Sequence, residues 1–124
     1  MAEFDDYDLM NLYNRLVNWA GYAGGEVALA AVDEKRAERA LSRVEVAYTV
    51  QYKTEKTVAA TKARVALEPE YQEAEDALDR CFATRKVLES VYQDCERKVA
   101  AASRELSRRM SRRDSENRNS KMST

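Results

Sequence analysis

Two basic stretches are the parts of this sequence whose residue types and spacing could do chemistry. The first interleaves eight Lys and Arg residues with Tyr48 and Tyr52 over 30 residues. On a helix, Arg36, Arg39 and Arg43 would be three and four residues apart and would share one face. Cations that follow a phosphate backbone, with aromatic rings for bases to stack on, are what sequence-tolerant single-strand binding requires. The candidate site for single-stranded DNA comprises Arg39, Arg43, Tyr48, Tyr52, Lys53 and Lys56.

The second basic stretch lies near the end of the chain, where few acidic residues are close in sequence. Phosphate groups or an acidic protein surface are the ligands expected there. For both stretches a simpler interpretation stays open, in which the bases form a solvated face or neutralise acidic residues on a neighbouring helix. This secondary basic patch comprises Arg104, Arg108, Arg109, Arg112 and Arg113.

Catalysis, a cofactor and a metal site are not expected. The chain has no His, which is the usual proton shuttle at neutral pH. It has no Gly-rich phosphate loop and no Gly-x-Ser-x-Gly motif. A carboxylate-bridged metal pair would need Glu-x-x-His motifs on facing helices, so we expect the acidic run to be a solvated face. That run comprises Glu68, Glu70, Glu73, Glu75, Asp76 and Asp79.

The two cysteines are not expected to bond to each other. Cys81 and Cys95 are 14 residues apart, which on one helix separates them by about 21 Å. A disulfide requires Cα atoms within about 7 Å. We expect small core residues in a reducing compartment, with cross-linking between subunits as the alternative.

Composition limits the elements that can position these residues. The 124-residue chain has 3 Gly and 1 Pro, too few turn signals for a multi-stranded sheet. Ala, Leu, Glu, Lys and Arg dominate, and all favour helix. We predict one helical domain over 1–110, followed by a basic, disordered tail over 111–124. Within that domain the helices are expected at 6–20, 26–67 and 69–110.

Local signals support two of these boundaries, the start of the first helix and the start of the last. Asp5 or Asp6 is expected to cap the first helix, with acids in its first turn. Pro69 fits the first turn of the last helix, where its missing N–H costs nothing. The sequence leaves open whether the helix continues through Gly21–Gly25. It also leaves open whether the polar residues around Gln51–Lys56 form an exposed site or a packing stutter.

The last helix carries five heptads on one seam, mostly of small or apolar residues, a strong coiled-coil signal. Its first seam positions are Tyr71, Leu78, Arg85, Tyr92, Val99 and Leu106, and the second are Ala74, Cys81, Leu88, Cys95 and Ala102. Charge alternates in four blocks, acidic over 1–34 and 65–96 and basic over 35–64 and 97–124, with a net charge of −1. Antiparallel folding about Pro69 would place an acidic block beside a basic one. We therefore expect an all-α, elongated antiparallel hairpin with a short N-terminal helix, coiled-coil-like and homo-oligomeric.

The order of these features resembles the small phage recombination mediators, the UvsY-like family of T-even phages and shorter relatives. The resemblance covers about residues 9–113 and rests on pattern and size. It is carried by Asn18-Trp19, then Arg43, Tyr48, Lys53 and Lys56, an acidic helix from Tyr71, and Ser103-Arg104-Glu105-Leu106. Family members bind single-stranded DNA as ring-like oligomers. They load a RecA-type recombinase onto strands covered by single-strand-binding protein.

The resemblance implies that the first long helix contacts DNA. The family has Lys-x-Arg closely followed by tyrosines, whereas the nearest match here, Ala40-Leu41-Ser42-Arg43 followed by Tyr48, has no Lys and a longer spacing to the tyrosine. A second, weaker likeness is to the helical-hairpin substrates of type VII secretion. It rests on Trp19-Ala20-Gly21 and on Tyr92 with Glu96, but the Trp-x-Gly of that family lies in the hairpin turn.

The expected function is therefore a non-catalytic accessory protein that binds single-stranded DNA and assists recombinase loading. The alternative is a helical interaction protein, a scaffold or host-directed inhibitor, without nucleic-acid activity. The chain has neither a stretch of about 18 apolar residues nor the pattern of a secretory signal. We expect no membrane partner and a cytoplasmic protein, in the host cytoplasm if a phage encodes it.

Overall fold

The computed structural model describes residues 4–122, which form three helices. They are α1 (Asp6–Gln51), α2 (Val58–Ala66) and α3 (Pro69–Met122). No strand occurs within these described residues. The all-α class expected from the composition is confirmed.

Asp5 caps the start of α1, and it is one of the two residues, Asp5 or Asp6, that were expected to do so. Its side-chain Oδ1 accepts a hydrogen bond of 2.7 Å from the backbone N–H of Asp8, and its carbonyl accepts one of 2.9 Å from Leu9. Asp6 and Asp8 lie in the first turn, where their charges complement the positive end of the helix dipole.

Helix α1 does not end at residue 20. It continues through Gly21–Gly25, and none of these glycines has a positive φ. The expected short helix over 6–20 is therefore wrong, because the packing positions continue at the same spacing on both sides of the glycines. These buried or half-buried positions are Leu9, Tyr13, Leu16, Ala20, Ala23, Val27, Ala30, Glu34, Ala37, Leu41, Val44 and Tyr48.

The predicted long helix over 26–67 is also wrong, because it is interrupted after Gln51. The polar segment 52–57 forms a turn in which the N–H of Glu55 bonds to the carbonyl of Tyr52 at 3.1 Å. Thr57 then caps α2, its hydroxyl accepting from the N–H of Ala60 at 3.0 Å. A segment with no aliphatic residue thus leaves the helix, and a threonine caps the next one.

Helix α3 begins at Pro69, as expected, but extends beyond residue 110 to Met122. The expected disorder over 111–124 is wrong for residues 111–122, and residues 123–124 lie outside the described part of the chain. An ion pair of 3.3 Å between Arg112 and Glu116, four residues apart, supports the added turns. Apolar residues no longer recur at helical spacing after residue 110, but helix-favouring residues and an ion pair four residues apart are present.

The chain divides into two compact units. The terminal unit comprises residues 1–25 and 90–124, and the central unit comprises residues 26–89. The prediction of one domain over 1–110 stays a prediction. In each unit, a segment of α1 packs antiparallel to a segment of α3, as in a helical hairpin.

In the terminal unit, Leu9 and Ala102 are completely buried. The aromatic ring of Tyr92 lies against α1 at Gly24, where an added Cβ would be 3.1 Å from a ring carbon. Gly24 is therefore the residue that lets this ring approach the α1 backbone.

In the central unit, Ala30, Thr61 and Val65 are buried. Arg85 of α3 bonds to Glu34 of α1 and to Glu89 on its own helix. Both Arg85 and Glu34 occupy seam positions, so a charged pair replaces an apolar contact in the packing between these helices. All the predicted seam positions of α3 are buried or half-buried along the helix.

Candidate nucleic-acid interface

Three arginines form an exposed basic face on α1 in the central unit. Arg36, Arg39 and Arg43 are spaced three and four residues apart and are all exposed. Within residues 4–122, none of the three forms an ion pair. We call them the arginine face.

The acidic block of α3 does not neutralise the arginine face, contrary to the expected zipper of opposite charges. In the central unit, Glu34 with Arg85 is the one ion pair that joins described residues of α1 and α3. The arginines fall outside the heptad seam, on the side of α1 that faces away from the packed helix. The alternation of charge along the sequence therefore does not lead to ion pairing between the arginine face and α3.

Three lysines converge on a shallow groove beside the turn between α1 and α2. The groove has a volume of about 420 Å³ and includes Lys53, Lys56 and Lys62 in its lining, with the hydroxyl residues Thr57 and Thr61. All three lysines are exposed. We call this feature the lysine groove.

Lys53 and Lys56 belong to the predicted site, whereas Lys62 and Arg36 were not assigned to it. Lys62 joins the other two lysines because the chain turns between residues 52 and 57 and brings α2 back beside them. That turn was not expected. Arg36 could have been included from its helical spacing to Arg39 and Arg43.

The two predicted tyrosines are engaged in the fold of the central unit. The hydroxyl of Tyr48 donates to Glu70 at 2.8 Å, and that of Tyr52 donates to Glu68. The rings stack on each other with centroids 6.1 Å apart and planes 20° apart. The Tyr48 hydroxyl thus joins the end of α1 to the first turn of α3. The Tyr52 hydroxyl joins the turn after α1 to the residue before α3.

One face of Tyr52 is covered by a cation. The guanidinium of Arg64 lies 4.3 Å from the ring centroid, and Arg64 also pairs with Glu55 at 2.6 Å. Donation to Glu68 raises the pKa of Tyr52, since ionisation would lose that hydrogen bond. Donation to Glu70 raises the pKa of Tyr48 in the same way. Both tyrosines are half-buried, and base stacking on them stays a prediction.

The secondary basic patch lies in the terminal unit and is largely paired with acids. Asp6 pairs with Arg109 and Arg113, and Glu105 pairs with Arg108 and Arg109. Hydrogen bonds from Arg108 and Arg109 lower the pKa of Glu105 to about 2, so this carboxylate is ionised at neutral pH.

The expectation that this patch has few acids to pair with is therefore wrong. Arg112 also has a partner, Glu116. Asp6 is about 100 residues away in sequence, and only the packing of α1 against α3 brings it here. Among the described residues Arg104 has no ion pair.

Other chemistry is not evident in the part of the chain that the structure describes. No group of three or more His, Cys, Asp or Glu side chains is placed to hold a metal ion there. Cys81 and Cys95 are free, half-buried thiols. Within residues 4–122, no helix combines the length and the apolar character needed to cross a bilayer.

Comparison with known proteins adds no assignment. No family model matches the chain, and no match was found among the curated proteins or the solved structures. The resemblance to phage recombination mediators therefore stays a prediction that rests on the sequence pattern.

Proposed function

We propose that this chain is a non-catalytic accessory protein that binds single-stranded DNA through its central unit. The observation that carries the proposal is the arginine face, because its three cations are exposed and unpaired within the described residues. Cations without protein partners are free to replace the counterions of a phosphate backbone.

The lysine groove supplies a second set of cations in the same unit. Lys53, Lys56 and Lys62 line it together with Thr57, whose hydroxyl accepts from Ala60 and can still donate a hydrogen bond to a phosphate oxygen. Glu45 and Glu55 also contribute to its lining and limit its net positive charge. The arginine face is therefore assigned the main phosphate contacts and the lysine groove a supporting role.

The tyrosines contribute by shaping the site. Tyr48 and Tyr52 hold the start of α3 through Glu70 and Glu68, and this contact fixes the turn that carries Lys53 and Lys56. Sequence preference is expected to be weak, since phosphate contacts carry no base information.

Recombinase loading is the finer part of the proposal and follows from the resemblance to phage mediators. A RecA-type recombinase and a single-strand-binding protein are the partners that this role implies. A homo-oligomer is part of the same proposal.

The test measures the affinity of the full chain for a labelled dT oligonucleotide by fluorescence anisotropy. Arg39→Ala with Arg43→Ala should weaken binding by about 10- to 100-fold at low salt, because two phosphate contacts are lost. The matched control is Arg80→Ala with Arg97→Ala. It removes the same charge from exposed positions on α3.

If binding depends on where the cations lie and not only on the net charge, the affinity of the control variant should be within about twofold of the wild type. Circular dichroism and size measurements establish that both double variants remain folded. Equal losses in the two variants, or no loss in the first, would remove the arginine face as the DNA site.

A helical interaction protein without nucleic-acid activity is the second candidate. Exposed Val46 and Val50 extend the side of α1 that carries Arg39 and Arg43, at spacings of three and four residues. Apolar and basic residues on one face suit an acidic amphipathic partner. A captured partner that survives nuclease treatment would favour this candidate, whereas its loss on digestion would favour the first.

A further inference from the structure

A pair of large aromatic side chains lies on the surface of the terminal unit. Trp19 is 61% exposed and Tyr22 is 63% exposed. Their rings contact edge to face, with centroids 6.1 Å apart and planes 85° apart. Arg15 and Asn18 complete a shallow, mainly apolar surface around them.

The helix around this aromatic pair lacks charge. From residue 16 to residue 25 the sequence contains no Asp, Glu, Lys or Arg. A nucleic acid would find a single cation there, Arg15, so the surface is poorly suited to a polyanion. Exposed Trp and Tyr beside an Arg instead have the composition of a protein-binding hot spot.

Two glycines beside the aromatic pair have no role in the packing of the chain itself. A Cβ at Gly21 or Gly25 would meet nothing within 4 Å, in contrast to Gly24 beside Tyr92. Glycine disfavours helix relative to alanine, and neither position needs a positive φ. Their missing side chains leave room for another backbone to approach α1 closely.

The surface area indicates that the fold leaves room for a partner. The chain exposes 9444 Å², whereas a globular protein of its mass exposes about 6,800 Å². A stable dimer interface removes about 800 Å² from each partner. The excess is several times what such an interface requires.

We infer that the aromatic face, defined by Asn18, Trp19, Tyr22 and Gly25, binds a second copy of this chain about a two-fold axis. A two-fold axis that passes between residues 20 and 21 of antiparallel helices places residue 19 of one copy opposite residue 22 of the other. Each Trp19 then meets the Tyr22 of the other copy, so one surface supplies both halves of the contact. Gly25 lets the two helices approach, and an Asn18 amide can bond across the interface.

The single Trp of the chain provides a direct readout. Light scattering after size exclusion should give twice the 14.2 kDa chain mass at micromolar concentration. Dilution should produce the monomer, with a red shift of Trp19 emission as the ring becomes hydrated. The experiment uses the full chain in the absence of DNA.

Tyr22→Arg should raise the dimer dissociation constant about 30-fold or more, as expected for a hot-spot residue. Gly25→Glu is a second variant with room for its side chain in the monomer, and it should weaken the dimer as well. Val91→Arg is the control, because Val91 is an exposed apolar residue of the same unit on the other long helix. It should leave the dimer unchanged, and all three variants should retain their helicity.

A wild-type chain that stays monomeric at high concentration, with red-shifted emission, would overturn the proposal. So would an oligomer whose mass is unchanged by both Tyr22→Arg and Gly25→Glu. Quenching of Trp19 by a dT oligonucleotide, with no change in mass, would assign the aromatic face to bases and contradict it.

Discussion

Arg85 and Glu34 show how individual residues adjust the packing of the central unit. Both occupy seam positions, and their side chains are 20% and 13% exposed. The hydrogen bond from Arg85 lowers the pKa of Glu34, and bonds to Glu34 and Glu89 raise the pKa of Arg85. A single charged pair within an apolar seam favours one register over others.

Replacing Arg85 alone should therefore be more harmful than replacing both partners. Arg85→Leu leaves the Glu34 carboxylate in the seam without its cation and should lower the free energy of unfolding. Adding Glu34→Leu should restore most of the loss by making the seam apolar. Urea denaturation of the wild type, both single variants and the double variant measures the coupling. Additive losses would show that the pair does not act as a unit.

Gly24 and Gly21 should respond in opposite directions to the same substitution. Alanine at Gly21 meets open space and should stabilise the helix by about 1 kcal/mol. Alanine at Gly24 would press on the Tyr92 ring at 3.1 Å, an overpacking that costs about 1–3 kcal/mol. Chemical denaturation at a concentration where both variants are monomeric compares them. Equal gains would mean that the ring moves aside without cost.

At the scale of elements, apolar periodicity was sufficient to predict the start of α3 and its seam, but not its last turns after residue 110. In α1, the Gly21–Gly25 cluster indicates a break, since glycine disfavours helix. The spacing of Leu9, Ala20, Ala23 and Val27 is nevertheless unbroken and indicates one continuous helix. The turn over 52–57 could be suspected from its polar residues, but whether such a segment bends or stays helical depends on contacts such as Tyr52 with Glu68.

The cap of α2 gives a test of this turn. Thr57→Ala removes the hydroxyl that accepts from Ala60 and should cost about 1 kcal/mol. Thr54→Ala is the control, since Thr54 is exposed in the same turn and lies outside the helix. The melting temperatures of the two variants in thermal unfolding should differ by several degrees. Equal melting temperatures would indicate that backbone contacts alone define the start of α2.

At the scale of the molecule, charge blocks predicted the antiparallel pairing of α1 with α3 but for an incorrect reason. The bases of the arginine face do not pair with α3, whereas those of the secondary basic patch mostly pair with acids. Helical spacing could anticipate the pairs of Glu105 with Arg108 and Arg109, whereas Asp6 approaches Arg109 only after folding. The arginine face itself could be predicted, since helical spacing alone places its members together.

Stability should depend little on pH between about 5 and 8, because the chain has no His. The carboxyls of Glu34 and Glu105 have lowered pKa values, the latter about 2 against an ordinary 4.5. The unfolded chain therefore binds more protons in acid, and stability should fall as the pH drops from about 4.5 towards 2. Thermal unfolding across this range tests the prediction, and Glu105→Gln should flatten the acid limb. A transition near pH 6.5 would contradict it.

The most direct test of DNA binding by the arginine face is the salt dependence of the affinity for a dT oligonucleotide. We predict saturable binding whose logarithm falls linearly with the logarithm of salt concentration, with a slope of about −0.7 per phosphate contacted. Arg39→Ala with Arg43→Ala should reduce the steepness by about 1.4, the share of two contacts. Two results would contradict DNA binding by the arginine face. One is the absence of binding at low salt by a chain shown to be helical, and the other is an unchanged slope of affinity against salt in the double variant.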